Sequence, residues 1–279
     1  MAVHAHPDDE ASKGAATTAK YRNEGVEVMV VTCTGGERGD VLNPALHDEV
    51  EARGIAAVRQ DEMAEAASIL GVQHAWLGFA DSGFPEDPAD VPKGSFAALP
   101  LEDIVPPLTA LIRGFRPHVV TTYDENGGYP HPDHSRTHQV TMAAIEAAAD
   151  PHVEGDAVWA VPKIYYNQQF SKERVHALHQ AMLDAGLESP YHEWLTRWDD
   201  RPDDAHRITT RIHAAEFFDV RDRALLAHRT QIDPNGQWFA VPRDLERRIW
   251  PTEEFQLVHS LVETTVPEDD LFSGLRGTA

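Results

Sequence analysis

Two short segments of the chain concentrate side chains that bind metal ions. The first is HAHPDDE at residues 4–10, and the second is HPDH at residues 131–134, followed closely by His138. Catalytic zinc commonly takes three protein ligands from histidine and carboxylate side chains and keeps one position for water. A proline stiffens each segment, which helps to fix ligands before a metal arrives. Together the two segments predict a metal site that could activate water.

Nitrogen and oxygen must supply the ligands of such a site, because the chain has a single cysteine, Cys33. One thiol can form neither an intramolecular disulfide nor a zinc site with several thiolates. Cys33 lies within a run of β-branched residues, so we expect a buried and inert thiol. Of the 16 histidines, most are expected to be structural or exposed.

The elements that must position the two segments alternate between strand and helix. The sequence predicts strands at residues 1–6, 26–34, 74–79 and 118–123, and helices at residues 12–24, 49–70 and 101–115. The second strand is nearly continuous in β-branched residues, as expected of a parallel strand that is covered on both faces. This alternation predicts an α/β fold, a Rossmann-like and mostly parallel sheet flanked by helices.

Polar clusters follow the predicted strands at residues 6–10, 34–40, 81–83 and 124–134. Ligands of such sheets bind beyond the carboxyl ends of the strands, so we expect the two metal-binding segments to meet there. The loop at residues 34–39 matches neither of the glycine-rich nucleotide-binding patterns.

The regular alternation weakens after about residue 163. We therefore predict a catalytic domain at residues 1–165 and a smaller C-terminal subdomain at residues 166–279 that shapes the substrate cleft. Residues 266–279 are expected to form an acidic, poorly constrained tail.

Composition limits the partners. Asp and Glu number 46 against 24 Lys and Arg, and the formal net charge of −22 argues against binding to nucleic acid or to anionic lipid. The sequence has no long uncharged apolar run and no signal-peptide layout at its start. We expect a cytoplasmic protein without a nucleic-acid or membrane partner, while the oligomeric state and the native start stay open.

The pair of motifs HPDDE at residues 6–10 and HPDH at residues 131–134 resembles the signature of the LmbE/PIG-L family of zinc-dependent N-deacetylases. Three further segments extend the resemblance over nearly the whole chain, namely LNPA at residues 42–45, DENGGYP at 124–130 and PTEEF at 251–255. The resemblance implies a Rossmann-like fold and hydrolysis of an amide on the amino group of a glucosamine. It implies Zn²⁺ as the cofactor, with Fe²⁺ left open because histidine and carboxylate ligands accept both metals.

Carried over residue by residue, the resemblance makes His6, Asp9 and His134 the metal ligands and Asp8 the catalytic base. A metal lowers the pKa of water, and a nearby carboxylate can then take the proton. Asp133 is expected to orient a metal-bound histidine rather than to bind metal itself.

Two further residues have implied catalytic roles. His131 fills the place opposite the metal, where a donor stabilises the tetrahedral oxyanion, and the Tyr129 hydroxyl can reach the same oxygen. The alternative for Tyr129 is a packing aromatic. Either Asp8 or a protonated His131 could then protonate the leaving amine.

Four residues are implied in substrate binding. By resemblance, Arg59 and Asp81 would bond hydroxyls of a sugar-inositol unit, with a surface ion pair between Arg59 and Glu62 as the alternative. Lys13 stands where the family's deacetylase has serine and could select bulky thiol conjugates. Gln231 would reach the site from the C-terminal subdomain, unless it only packs.

The resemblance implies a small-molecule substrate, a thiol conjugate of the pseudodisaccharide glucosaminyl-inositol. The expected reaction cleaves its amide to an N-acetylcysteine S-conjugate and glucosaminyl-inositol, a detoxification step. The alternative is removal of acetyl from the biosynthetic N-acetylglucosaminyl-inositol. A second alternative is a non-catalytic module that binds metal or sugar.

Overall fold

The computed structural model describes residues 1–168, 171–197 and 205–277. The strands of the described residues are β1 Ala2–His4, β2 Met29–Thr34, β3 Gln73–Phe79, β4 Val119–Thr122, β5 Lys163–Asn167, β6 Thr210–His213 and β7 Thr252–Ser260. They form one sheet in the order β3-β2-β1-β4-β5-β7-β6. The five neighbours β3, β2, β1, β4 and β5 are parallel to one another, and β7 runs antiparallel between β5 and β6. The predicted Rossmann-like, mostly parallel sheet is confirmed.

Ten α-helices connect these strands within the same described residues. They are α1 Asp9–Ser12, α2 Ala15–Asn23, α3 His47–Arg53, α4 Ile55–Leu70, α5 Leu101–Phe115, α6 Pro132–Ala149, α7 Lys172–Asp184, α8 His192–Arg197, α9 Phe218–Ala227 and α10 Arg243–Ile249. Helix α5 has the bounds that the sequence predicts. In the described part of the chain, no helix has both the length and the apolar character that crossing a bilayer requires.

Two predicted helices are each divided in the structure. The helix predicted at residues 12–24 breaks at Gly14, with φ of 86°, and the one predicted at residues 49–70 breaks at Gly54, with φ of 80°. Glycine adopts these positive φ values without the steric cost that other residues incur, so the chain turns there instead of continuing the helix. The first break separates α1 from α2 and leaves α1 as a single turn beside the sheet edge.

The core lies on both faces of the sheet. On one face, α5 and α6 bury Val31 and Val120, and on the other, α4 packs Met63 against Val30. Cys33 is fully buried on the first face, and burial raises the pKa of its thiol to about 12. The expected burial is confirmed, and a thiol whose pKa is raised stays protonated at neutral pH, as expected of an inert one.

The C-terminal part of the chain adds strands to the same sheet. The predicted boundary at residue 165 falls inside β5, and β7 pairs with β5 along its length. Helix α9 packs on α1, α2 and α4, whereas α7 packs against α8 and α10. A separate subdomain at residues 166–279 stays a prediction.

The expected loose tail at residues 266–279 is wrong for the residues that the structure describes, which end at 277. Glu268 is buried, and its carboxylate accepts hydrogen bonds from Lys163 Nζ at 2.5 Å and Tyr165 OH at 2.7 Å. Lys163 is itself fully buried. A buried ammonium group must be paired, so this ion pair fixes the end of the chain against β5.

Substituting Glu268 tests this attachment. We expect Glu268→Ala to lower the free energy of unfolding by about 3–5 kcal/mol, because it leaves the Lys163 charge buried without its partner. Denaturant unfolding of the purified protein measures the change. The control is Glu263→Ala at an exposed position just before this segment, which should change the free energy of unfolding by less than about 0.5 kcal/mol. Equal stability of the two variants would contradict the assignment.

Candidate metal centre

The two metal-binding segments meet because β1 and β4 are parallel neighbours. The first segment leaves the carboxyl end of β1 and enters α1 at Asp9, and the second enters α6 at Pro132. His131 caps α6, since its Nδ1 accepts a hydrogen bond from Asp133 N at 3.1 Å. The N-termini of both helices therefore open onto the same sheet edge.

His6, Asp9 and His134 bring three ligand atoms within 4.8 Å of one another. His6 Nδ1 lies 3.6 Å from Asp9 Oδ2, and His134 Nε2 lies 3.4 Å from the same oxygen. All three residues are buried. Two imidazole nitrogens and one carboxylate oxygen are a donor set that suits zinc or iron(II).

The orientation of His134 supports a cation at this place. Its Nδ1 lies 3.0 Å from the Gly127 carbonyl oxygen, which fixes the ring and leaves Nε2 pointing toward Asp9. In the described part of the chain, this fully buried Nε2 has no hydrogen-bond partner. An unpaired buried nitrogen is costly, and a metal would satisfy it.

The other nitrogen of His6 faces carboxylates. Its Nε2 lies 3.4 Å from Asp133 Oδ2 and 3.6 Å from Asp81 Oδ1, and Asp133 Oδ2 also accepts from Ser82 N. A carboxylate in such a contact can orient a metal-bound histidine, and this role of Asp133 stays a prediction. His6, His131 and Asp133 form a second group of ligand atoms within 4.8 Å. That group would use Nε2 of His6 and would leave His134 Nε2 unpaired, so the geometry favours the first group.

Asp9 is held from several sides. Its Oδ2 accepts from Tyr123 OH at 2.6 Å and from His6 N at 3.0 Å, while Oδ1 accepts from Lys13 Nζ at 2.5 Å. Burial alone would raise the pKa of Asp9, but Lys13 and the two histidines hold it well below its usual value. Tyr123 did not figure among the predicted site residues. Its place at the end of a predicted strand was the available signal.

The field around His6 favours positive charge. Burial lowers the pKa of His6, yet Asp133, Asp81 and Asp9 together raise it well above its usual value. The same three carboxylates would stabilise a metal cation in this cavity.

Asp8 has a strained backbone and a fixed side chain. Its φ is 142°, a conformation that residues other than glycine rarely adopt. Arg59 Nη2 donates to Asp8 Oδ2 at 3.1 Å and to the Pro7 carbonyl at 2.7 Å. The Asp8 side chain is 25% exposed, so it can reach a ligand. Burial, followed by the charge of Asp9, raises the pKa of Asp8 against the opposing effect of Arg59.

His131 and Tyr129 lie on the other side of the site. Because His131 Nδ1 accepts from the backbone, its Nε2 carries the proton of the neutral ring. Burial and the two neighbouring histidines, His6 and His134, lower the pKa of His131 to about 3. Tyr129 is 45% exposed, with its ring 4.5 Å from that of His134. Its hydroxyl stays protonated because burial raises its pKa.

The predicted substrate-binding residues have partners within the protein. Arg59 is buried and also donates to Gly36 O at 2.7 Å, while Glu62 accepts from Thr230 instead. Asp81 accepts from the backbone amides of Arg38 and Gly83. Contacts of Arg59 and Asp81 with a substrate therefore stay predictions.

A buried ion pair ties the C-terminal part of the chain to the first segment. His228 Nε2 lies 2.6 Å from Glu10 Oε1, and Glu10 Oε2 accepts from Asp8 N at 3.0 Å. Neither Glu10 nor His228 was predicted as a site residue. Gln231, which was, donates to Asp40 O at the rim of the site.

Comparisons with known proteins show what the chain is similar to in sequence and fold. The family model described as PIG-L: GlcNAc-PI de-N-acetylase matches residues 1–145. The chain is 56% identical to a protein of Streptomyces coelicolor named mycothiol S-conjugate amidase, over 100% of this chain and 98% of that protein. It is 37% identical to the 1D-myo-inositol 2-acetamido-2-deoxy-alpha-D-glucopyranoside deacetylase of Streptomyces avermitilis, over 99% and 96% of the two chains. The solved structure of the conserved protein TT1542 from Thermus thermophilus has a TM-score of 0.59 at 22% identity, covering 94% of this chain and 95% of that one, which shows the same fold.

Two adjacent glycines allow a matched test of the metal centre. Gly127 and Gly128 have nearly equal φ values, 74° and 75°. A Cβ added at Gly127 would lie 2.6 Å from His134 Cβ, whereas one added at Gly128 would meet nothing within 4 Å. Both substitutions to alanine therefore share the backbone strain of about 1–3 kcal/mol, but only the first displaces His134.

We expect Gly127→Ala to lower the bound metal per chain well below that of Gly128→Ala, as measured by elemental analysis after dialysis. Thermal unfolding of both metal-free variants controls for stability. Equal metal contents in the two variants would show that the contact between Gly127 and His134 does not position a ligand.

Proposed function

Because the chain belongs to the PIG-L: GlcNAc-PI de-N-acetylase family, we propose that it is a metal-dependent amidase of mycothiol S-conjugates. It cleaves the amide that joins the cysteinyl group to glucosaminyl-inositol. The products are an N-acetylcysteine S-conjugate and glucosaminyl-inositol, in a detoxification step. The observation that carries the proposal is the set of His6, Asp9 and His134 beside Asp8, in a chain 56% identical to a mycothiol S-conjugate amidase.

His6 Nδ1, one Asp9 oxygen and His134 Nε2 would hold the metal, which we propose to be zinc, with iron(II) as the alternative. When bound, such a metal lowers the pKa of water toward about 7 and polarises the amide carbonyl. The substrate amide would sit beside the metal, within reach of Asp8, His131 and Tyr129.

Asp8 is the proposed base. Its side chain is partly exposed, and a hydrogen bond from Arg59 holds the carboxylate oxygen Oδ2. The other oxygen, Oδ1, would accept the proton. The raised pKa of Asp8 helps it to keep the proton that it takes from the attacking water. The depressed pKa of Asp9 suits a ligand that stays ionised throughout.

His131 and Tyr129 stabilise the oxyanion that forms on the amide carbonyl. Each offers a protonated donor, the Nε2–H of a neutral imidazole and a phenolic hydroxyl. Because its pKa is low, His131 is neutral at neutral pH and has no proton to spare for the leaving amine. Asp8 is therefore the proposed acid that delivers this proton.

Substrate recognition is proposed for four residues around the site. Arg59 and Asp81 would contact the hydroxyls of the sugar-inositol unit, and Gln231 would approach from the C-terminal part. The Nζ of Lys13 donates a hydrogen bond to Asp9 Oδ1. Lys13 would face the acyl side of the amide, where it would favour a bulky conjugate. We also propose that the protein is cytoplasmic and that it binds neither nucleic acid nor membranes.

The second candidate function is removal of acetyl from N-acetylglucosaminyl-inositol. The 37% identity to the Streptomyces avermitilis deacetylase supports this candidate. The same proposed metal ligands would suit both the amidase and the deacetylase reaction. A non-catalytic module is less well supported, because a strained Asp8 beside the ligands has no use in simple binding.

A comparison of substrates tests the proposed function. We expect kcat/KM for a mycothiol S-conjugate to exceed that for N-acetylglucosaminyl-inositol in the metal-loaded protein. A faster reaction with the acetylated compound would replace the amidase proposal with the deacetylase. Asp8→Asn serves as the control variant, since it should keep its metal and lose about a hundredfold or more in kcat on both substrates. Unchanged turnover in Asp8→Asn would refute the role of Asp8.

A further inference from the structure

A cavity of about 190 Å³ lies next to the metal centre, between α1 and the C-terminal helices α7, α9 and α10. Ala11 and Ser12 of α1 form one wall. Ser12 Oγ accepts from Lys13 Nζ at 3.1 Å, and the same Nζ contacts Asp9 Oδ1. The cavity is therefore separated from a proposed metal ligand by one side chain.

The inner walls of the cavity are apolar. Val175, Leu178, Leu225 and Val241 line it and are buried, whereas Trp238 at its rim is 38% exposed. An apolar cavity of about 150 Å³ is large enough to hold benzene. The present cavity therefore has room for an aromatic ring or a branched alkyl group.

Charged groups also line the cavity. Arg174, Arg221 and Arg243 all donate to the carboxylate of Glu246 at 2.7–3.0 Å. Asp222 accepts from two of them. A guanidinium group can stack on the face of an aromatic ring. Burying a cationic substituent against the apolar walls would cost its hydration.

We propose that this cavity binds the substituent on the sulfur of the substrate and selects uncharged aromatic or aliphatic groups. The inference rests on the proposed function, because only an S-conjugate carries such a substituent. In that substrate the sulfur is joined to the scissile carbonyl through the α and β carbons of the cysteinyl group. A substituent that starts so near the reacting carbonyl reaches a cavity that begins one side chain from Asp9.

Two substitutions change the cavity in different ways. Val241→Phe fills it, and Trp238→Ala removes an aromatic wall at its rim. The measured quantity is kcat/KM of the metal-loaded protein for an S-benzyl conjugate divided by that for an S-methyl conjugate. We expect both variants to lower this ratio by about tenfold or more, the effect of losing apolar contacts in a specificity pocket.

Matched controls lie in the same chain. Leu245→Phe enlarges a buried side chain in the same hydrophobic cluster as Val241, at a position that is not among the described residues lining the cavity. Trp76→Ala removes a tryptophan of nearly equal exposure, 37%, on β3. Both controls should leave the ratio within about twofold of the wild type.

The preference for uncharged substituents is tested by comparing two substrates of the wild-type protein. An S-substituent ending in a trimethylammonium group should react at least about tenfold more slowly, by kcat/KM, than its tert-butyl isostere. Equal rates would overturn the selection against cations.

An unchanged benzyl-to-methyl ratio in both cavity variants would overturn the proposal, as would an equal change in the controls. If Val241→Phe does not fold, Trp238→Ala at the exposed rim decides the question alone. Failure of the proposed function gives a different result, because the wild type would then hydrolyse the acetylated compound faster than either conjugate.

Discussion

The site depends on one buried carboxylate oxygen, Oδ2 of Asp9. A carboxylate that is 3% exposed stays ionised only when donors or cations surround it. Tyr123 OH and the backbone amide of His6 donate to this oxygen, and a ring nitrogen of His134 faces it at 3.4 Å. His6 and Tyr123 follow the carboxyl ends of β1 and β4, and His134 lies in α6. The need to stabilise one charge thus requires two parallel strands and the helix that follows them to keep their present positions.

Asp8 and Asp9 are adjacent in the chain but have opposite environments. Asp9 is deeply buried among cationic groups, which depress its pKa, while Asp8 is partly exposed and has a raised pKa. Carboxylates whose pKa values are pushed apart can divide the roles of ligand and base between them. The backbone strain at Asp8 is balanced by Arg59 and by the buried pair of Glu10 and His228. That pair makes the C-terminal part of the chain a support of the site.

Local sequence patterns were sufficient for the parallel strands β1 to β4 and for the grouping of the two metal-binding segments, but not for β5 or α6. Strand and helix periodicity are local properties, and the carboxyl ends of neighbouring parallel strands meet by topology. The contact of Tyr123 with Asp9 and that of His228 with Glu10 join residues far apart in the chain, which periodicity does not reveal. Likewise, the final segment looked loose because its acidic residues suggest solvation. Burial of Glu268 follows only from its pairing with Lys163 across the sheet.

Anomalous diffraction at the zinc edge, from crystals of the zinc-loaded protein, tests the central claim most directly. The account predicts a single strong peak at about 2.0–2.2 Å from His6 Nδ1, one Asp9 oxygen and His134 Nε2. A peak among His6 Nε2, His131 and Asp133 instead, or no peak at this edge of the sheet, would contradict it.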